Sequence, residues 1–186
     1  MMNHIDLSSV LRQTVACDLY SNLVTRPTGA AVRDQIERLL GDAHDRTLTV
    51  IDFSQVSMID FSCADEVIAK LLMRHEAADS PREAYFLFRG VTEEHWEAIE
   101  AVLERRGLAL VLEQADGVQV VGALSAEERR TWETVRQLGR PTTAQLAERL
   151  ELSTADVQRA TEGLRRRRLL MRAGDGYVVV GAHRGG

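Results

Sequence analysis

The sequence predicts a mixed α/β protein: a sheet covered by helices, then a small unit of three helices and a β-hairpin. Three observations carry this. Up to Gly122, short β-branched and apolar runs alternate with amphipathic helical segments. Beyond it, helical segments follow one another and end in two short apolar runs around Gly174-Asp175-Gly176. The charge changes at the same place. Residues 1–122 hold 11 basic against 20 acidic side chains, a net of −9, and residues 123–186 hold 12 against 8, a net of +4. Such a contrast indicates two units with different partners, 1–122 and 123–186, joined near "GALSAEE" at 122–128.

In chain order, "SVLRQTVAC" over 9–17 has the pattern of a strand. "RPTGAAVRDQIERLLG" predicts a helix, with Pro27 in the first turn, Val32, Ile36, Leu39 and Leu40 on one face, and Gly41 as the stop. "TLTVIDF" over 47–53 reads as a strand covered on both faces. Ala64, Val67, Ile68, Leu71 and Leu72 fall on one helix face. "AYFLF" over 84–88 is a second buried strand. The segment 92–107 predicts a helix capped by Thr92, with Glu93 and Glu94 in the positive first turn and Arg105 and Arg106 in the negative last turn. Trp96, Ile99, Val102 and Leu103 give it a core face, and Gly107 ends it. "LALVL" over 108–112 and "VQVV" over 118–121 follow as strands.

The second unit opens with a helix capped by Ser125-x-x-Glu128, a capping box, with Trp132, Val135 and Leu138 inward. "TTAQLAERL" predicts a second helix, with Leu146 and Leu150 inward. A third starts at Ser153-x-x-Asp156, another capping box, and runs into "LLMRAGDGYVVV", a strand, turn and strand.

Composition excludes some classes. The chain has 186 residues and 45% apolar content, ordinary for a globular protein. No apolar run reaches the roughly 18 residues of a membrane span, and "MMNHIDLSSVLRQ" lacks a basic flank followed by an apolar core. Cys17 and Cys63 form no metal-type spacing with each other or with a histidine. The expectation is a cytoplasmic protein with no metal and no cofactor.

"VIDFSQVSMIDFSCADEVIAKLL" resembles the STAS domain, named for sulfate transporters and anti-sigma-factor antagonists. That family carries Asp-Ser-Ser-Gly at a helix start after a strand and turn. Here Asp60 stands at the Asp, Phe61 at the first Ser, Ser62 at the second and Cys63 at the Gly. The segment "DFSCADE" is also similar to a divergent branch of the family with Ser-Phe-Ala-Asp-Glu here. The resemblance spans roughly residues 9–121. It implies a phosphorylation site at Ser62 and a partner-binding surface of Asp60, Phe61, Ser62, Asp65 and Glu66, with a kinase-like or sigma-related protein as partner. The second unit, through "TTAQLAERLELSTADVQRATEGLRRRRLL", resembles a winged helix-turn-helix domain. That likeness implies DNA binding or protein docking.

Ser62 admits three roles. Its hydroxyl can accept from the Asp65 amide while Asp65 reaches back, which makes it a helix cap. It can be phosphorylated at a helix N-terminus, where the dipole tolerates the charge. Asp60, Asp65 and Glu66 flank it, so local repulsion would change the surface and expel a partner. As a nucleophile it needs a base and an oxyanion hole. His4, His44, His75, His95 and His183 sit in no recognisable motif, and no Gly-x-Ser-x-Gly surrounds it. Cys63 reads as a small core residue, since nearby carboxylates oppose a thiolate. Asp65 and Glu66 do not read as a metal pair, because adjacent helix residues point apart.

If the second unit binds DNA, its third helix enters the major groove. Thr154, Gln158 and Arg159 would then meet bases, with Glu162 and Arg165 further along. Arg129, Arg130 and Arg172 would contact phosphate. The run Arg165–Arg168 covers every side of a helix turn, which turns at least one arginine toward the sheet or a partner. The chain reads as a non-enzymatic regulator of bacterial type. A STAS-like unit docks or senses a partner and a winged helix gives the output. The alternative is a DNA-binding transcription regulator whose first unit binds an effector or dimerises.

Overall fold

A computed structural model describes residues 2–6, 22–41, 46–76 and 83–182. The strand expected over 9–17 lies outside the described residues, as do Cys17, His44 and His183. The main sheet has five strands: β1 (Met2–Asp6), β3 (Thr47–Asp52), β5 (Ala84–Arg89), β6 (Ala109–Gln114) and β7 (Gly117–Gly122), in that spatial order. The first four are parallel, and β7 turns back antiparallel on β6. A two-residue parallel pair, β2 (Asn22–Leu23) with β4 (Met58–Ile59), lies beside it.

Helix α1 (Arg26–Leu40) connects β2 to β3. A continuous helical segment follows β4: α2 (Phe61–Ala64), a wide π-turn (Asp65–Ala69) and α3 (Lys70–Glu76). Helix α4 (Glu93–Arg106) connects β5 to β6. Gly107, at φ 64°, ends it in the left-handed conformation that glycine adopts without strain. Parallel strands laid down in sequence order, with crossovers of one hand the general rule, carry their helices on one face.

The side chains confirm this one-sidedness by strict alternation. On β3, β5 and β6 the residues Ile51, Ala84, Phe86, Phe88, Leu110 and Leu112 pack with Val32, Ile36, Val67, Ile68, Ile99 and Leu103 of the helices. Their neighbours Val50, Tyr85, Leu87, Ala109 and Val111, with Val120 of β7, point the other way. Both faces of the strands are apolar, as the β-branched run at 47–53 predicts.

The second face is covered by the C-terminal unit. It comprises α5 (Ala126–Leu138), α6 (Thr143–Leu150), α7 (Thr154–Arg166) and the hairpin β8 (Leu170–Ala173)–β9 (Gly176–Val179). Trp132, Val135, Leu146, Leu150, Val157, Leu164, Tyr177, Val179 and Val180 form one buried cluster with the sheet residues. Trp132 donates its indole N–H to the Leu169 carbonyl at 3.1 Å, tying α5 to the base of the hairpin. A methyl group at Gly181 would lie 3.0 Å from Leu87 and Val118, so the chain passes directly over the sheet there.

Polar contacts close the seam. Arg168 donates to the His75 carbonyl at 3.1 Å and lies over the Tyr85 ring at 5.7 Å. Arg167 bonds the Gly107 and Ala123 carbonyls and Glu128. Arg46 donates to the Arg172 carbonyl at 2.7 Å. The arginine run thus splits its duties: Arg165 and Arg166 pair with Glu162 on the same helix, while Arg167 and Arg168 clamp the two units. At the same seam burial pushes the Glu76 carboxyl up to about 7, against the pull of Arg167 and Arg168.

Three local expectations change. Leu39 and Leu138, expected inward, are 50% and 47% exposed. Each lies close to the end of its helix and beside a better-packed residue, Leu40 and Val135 respectively. Ser153 caps α7 by accepting from the Asp156 amide at 3.0 Å, but it also donates to the Asp156 carboxylate at 2.6 Å, so Asp156 does not complete a capping box. Among the described residues no helix is long and apolar enough to cross a membrane.

A shared core makes unfolding of the two units one event. Trp96 belongs to the first unit and Trp132 to the second. In urea, the Trp96→Phe and Trp132→Phe variants are each expected to show fluorescence midpoints that coincide with their own circular-dichroism midpoints. Fluorescence and circular-dichroism midpoints that separate within either variant would show units that unfold independently.

Candidate functional site

The site forms where α1 crosses the helical segment that begins at Phe61. Asp60 starts it. One carboxylate oxygen accepts from the Cys63 amide at 2.8 Å and caps α2. The other accepts from the Thr25 amide at 2.9 Å. Thr25 sits at φ 72°, a backbone region that a β-branched residue rarely adopts. Its carbonyl accepts from the Gly29 amide at 3.2 Å and from the Cys63 thiol at 2.8 Å. Asp60 therefore braces two chain segments that are 35 residues apart.

This overturns the capping role expected of Ser62. Asp60 is the cap, and Ser62 is the second residue inside the helix, half-buried. The Asp65 amide bonds the Phe61 and Ser62 carbonyls instead of the Ser62 hydroxyl, and the Asp65 side chain points elsewhere. Helix α2 begins two residues earlier than a Ser62 cap requires, because an aspartate with two oxygens serves both the helix and Thr25.

Asp65 and Glu66 are the most deeply buried carboxylates near Ser62, with side chains 1% and 3% exposed. Arg106 grips Asp65 with two hydrogen bonds, at 2.9 and 3.1 Å. Arg26 bridges the pair through one nitrogen, 2.9 Å from Asp65 and 2.6 Å from Glu66. Arg33 and Lys70 also bond Glu66. Hydrogen bonds from Arg106, acting against desolvation, hold the Asp65 carboxyl below its ordinary value. Burial would raise Glu66, but hydrogen bonds from Lys70 and Arg26 and the charge of Arg33 outweigh it and hold it low.

Adjacent residues of a helix diverge by about 100°, which is why these two carboxylates do not read as a pair in the sequence. A long arginine laid across both makes them one unit. They lie in the π-turn, a feature concentrated at functional sites, and every residue from Asp65 to Ala69 is buried. Of the acidic flank expected to repel a phosphate on Ser62, Asp65 and Glu66 are thus turned inward and neutralised, while Asp60 stays half-buried on two backbone amides. What the surface presents is Phe61, Ser62 and the guanidinium groups of Arg26, Arg105 and Arg106. Arg105 lies 5.4 Å over the Phe61 ring.

Cys63 is fully buried, and burial, with the nearby Asp60 charge, pushes its thiol up to about 12. That is the opposite of an activated thiolate. Gly29 sets the helix crossing: a methyl there would lie 2.9 Å from the Cys63 Cα and 3.0 Å from the Glu66 Cβ. His95, absent from any motif, ties the loop before β4 to the start of α4. Its Nδ1 accepts from the Thr92 amide at 3.1 Å, which leaves Nε2 to donate to the Val56 carbonyl at 2.6 Å.

In the second unit Thr154, Gln158 and Arg159 share the exposed side of α7, opposite Val157, Ala160, Thr161 and Leu164. Arg159 pairs with Asp156 at 2.7 Å and lies 3.7 Å from Glu127. Arg130 and Arg172 are exposed. Arg129 is engaged by the Val120 and Gly122 carbonyls, and Arg165 by Glu162. Among the described residues no cluster of three metal-ligating side chains is present.

Two predictions follow from this geometry. Gly29→Ala overpacks the crossing and is expected to cost about 1–3 kcal/mol, read as a lowered melting temperature. Replacing Glu66 by Gln removes the charge that four hydrogen-bonding cations share with Asp65. Since those cations are partly solvated, the expected loss is about 1–2 kcal/mol at neutral pH. Glu66 is depressed in the folded state, so its contribution is present above the ordinary carboxylate range near pH 4 and vanishes as pH falls through its lower folded value. Chemical unfolding of wild type and Glu66→Gln from pH 7 to 3 should therefore converge at the acid end; a constant gap would contradict the assignment. No family model and no curated protein matches the chain.

Proposed function

We propose that the chain is a non-enzymatic signalling protein of bacterial type, in which a STAS-like first unit docks a protein partner through the surface around Ser62 and a winged-helix second unit carries the output. The observation that supports this is the placement of Ser62. It stands half-buried in the first turn of a helix whose base is locked by Asp60, Thr25 and the Asp65–Glu66 ion cluster. A rigid base carrying a half-buried serine suits a docking surface that is switched by phosphorylation. Added charge alters the contact without melting the fold.

A second reading, a DNA-binding transcription regulator, draws on the exposed row Thr154, Gln158 and Arg159. Their helix positions are those of base readers in a helix-turn-helix.

Two measurements separate the readings. Selection of genomic fragments by the purified protein is expected to enrich no common sequence under the first reading. Enrichment that is lost on Arg159→Ala and falls steeply with salt would establish the second. With a captured partner in hand, Ser62→Glu is expected to weaken binding at least tenfold while Ser62→Ala retains it. Equal binding by all three proteins would end the docking reading.

A further inference from the structure

The basic surface beside Ser62 specifies the chemistry of what it contacts. We infer that the patch formed by Phe61, Arg105, Arg106 and Arg26 receives an acidic segment of a partner protein, anchored by an apolar side chain on Phe61. This rests on the docking reading above and deepens it.

Four observations carry the inference. First, four cations, Arg26, Arg33, Lys70 and Arg106, meet the two buried carboxylates, and Arg33 also pairs with Asp34, so the cations outnumber the carboxylates they pair with by one. Second, the carboxylates are buried while Arg26 is 48% and Arg106 38% exposed, so the negative charge faces inward and the positive charge faces water. Third, Arg105 is exposed, and its guanidinium lies over the half-buried Phe61 ring. An arginine stacked on an aromatic is held in place, which lowers the entropy a partner must remove. Fourth, this patch sits on a unit whose net charge is −9 over residues 1–122. A local positive surface on an acidic unit selects a short acidic contact. A long polyanion such as DNA would meet the repelling remainder. Sequence order hides all of this, because Asp60, Asp65 and Glu66 give the segment an acidic look.

The probe is a twelve-residue peptide of glutamate and aspartate with one central leucine, titrated into the isotopically labelled full-length protein and followed by NMR. Controls are a lysine peptide of the same design, the acidic peptide with the leucine replaced by serine, and a twelve-nucleotide single-stranded DNA. The expected result is perturbation of amides around 60–66 and 103–107, weakened at least fivefold between 50 and 200 mM salt (on the order of one to two screened contacts). It should be lost in Arg105→Glu and reduced by the serine peptide. Arg105 has no role in the buried cluster, so that variant is expected to keep the wild-type melting temperature.

Absence of perturbation, preference for the lysine peptide, or equal binding of the DNA at the same residues would overturn the inference. The two proposals fail separately. Peptide binding that is indifferent to Ser62→Glu would remove the Ser62 switch and leave the acidic-partner surface standing. A natural partner released by Ser62→Glu, yet indifferent to Arg105→Glu and to salt, would do the reverse.

Discussion

The structure depends on a sheet wound in one direction. Parallel strands laid side by side in chain order place α1, the Phe61–Glu76 segment and α4 on one face. The strands remain apolar on both faces, so the open face requires a cover. Burying Val50, Tyr85, Leu87, Val111 and Val120 removes enough apolar surface from water to make the C-terminal unit part of the fold. Its Arg167 and Arg168 then serve as clamps across the seam. This constrains how a winged-helix output would operate: the hairpin end of the unit is committed to the sheet, and the N-terminal part of α7 remains available.

The same one-sidedness positions the candidate site. Because the three crossover segments share a face, α1 meets the helix beginning at Phe61 directly, and Gly29 brings them into backbone contact with Cys63. At that crossing a buried carboxylate pair would be unstable alone. It is tolerated because Arg26, Arg33, Lys70 and Arg106 come from three different helices to meet it. The cluster therefore works as a cross-brace whose outer ends are cationic, and it supports the surface around Ser62. Asp60 supplies a second brace by dividing its two oxygens between a helix cap and the strained backbone of Thr25.

Much of this was decided by local sequence. The β-branched and apolar runs at 47–53 and 84–88 specify strands covered on both faces, and the structure has them. Caps at Ser125 and Ser153 and the stop at Gly107 act within one helical turn, so short spacing suffices to find them. The periodicity of Ala64, Val67, Ile68, Leu71 and Leu72 likewise identifies a buried helix face. By contrast, Leu39 and Leu138 carry the same periodic signal and remain exposed.

Tertiary structure alone decided the rest, for a physical reason common to each case. A charged side chain's role is set by what reaches it, and those partners come from distant segments. Nothing near Asp65 and Glu66 in sequence announces Arg26 or Arg106, roughly 40 residues away on either side. Nothing near Arg168 announces Tyr85. Sequence by itself determined where the helices and the strands β3, β5, β6 and β7 lie, though not β1, β2 or β4, that the chain changes character near Gly122, and that a helix begins by Ser62. Only the assembled fold determined that Asp65 and Glu66 face inward, that arginines stand outside them, and that the two units share a core.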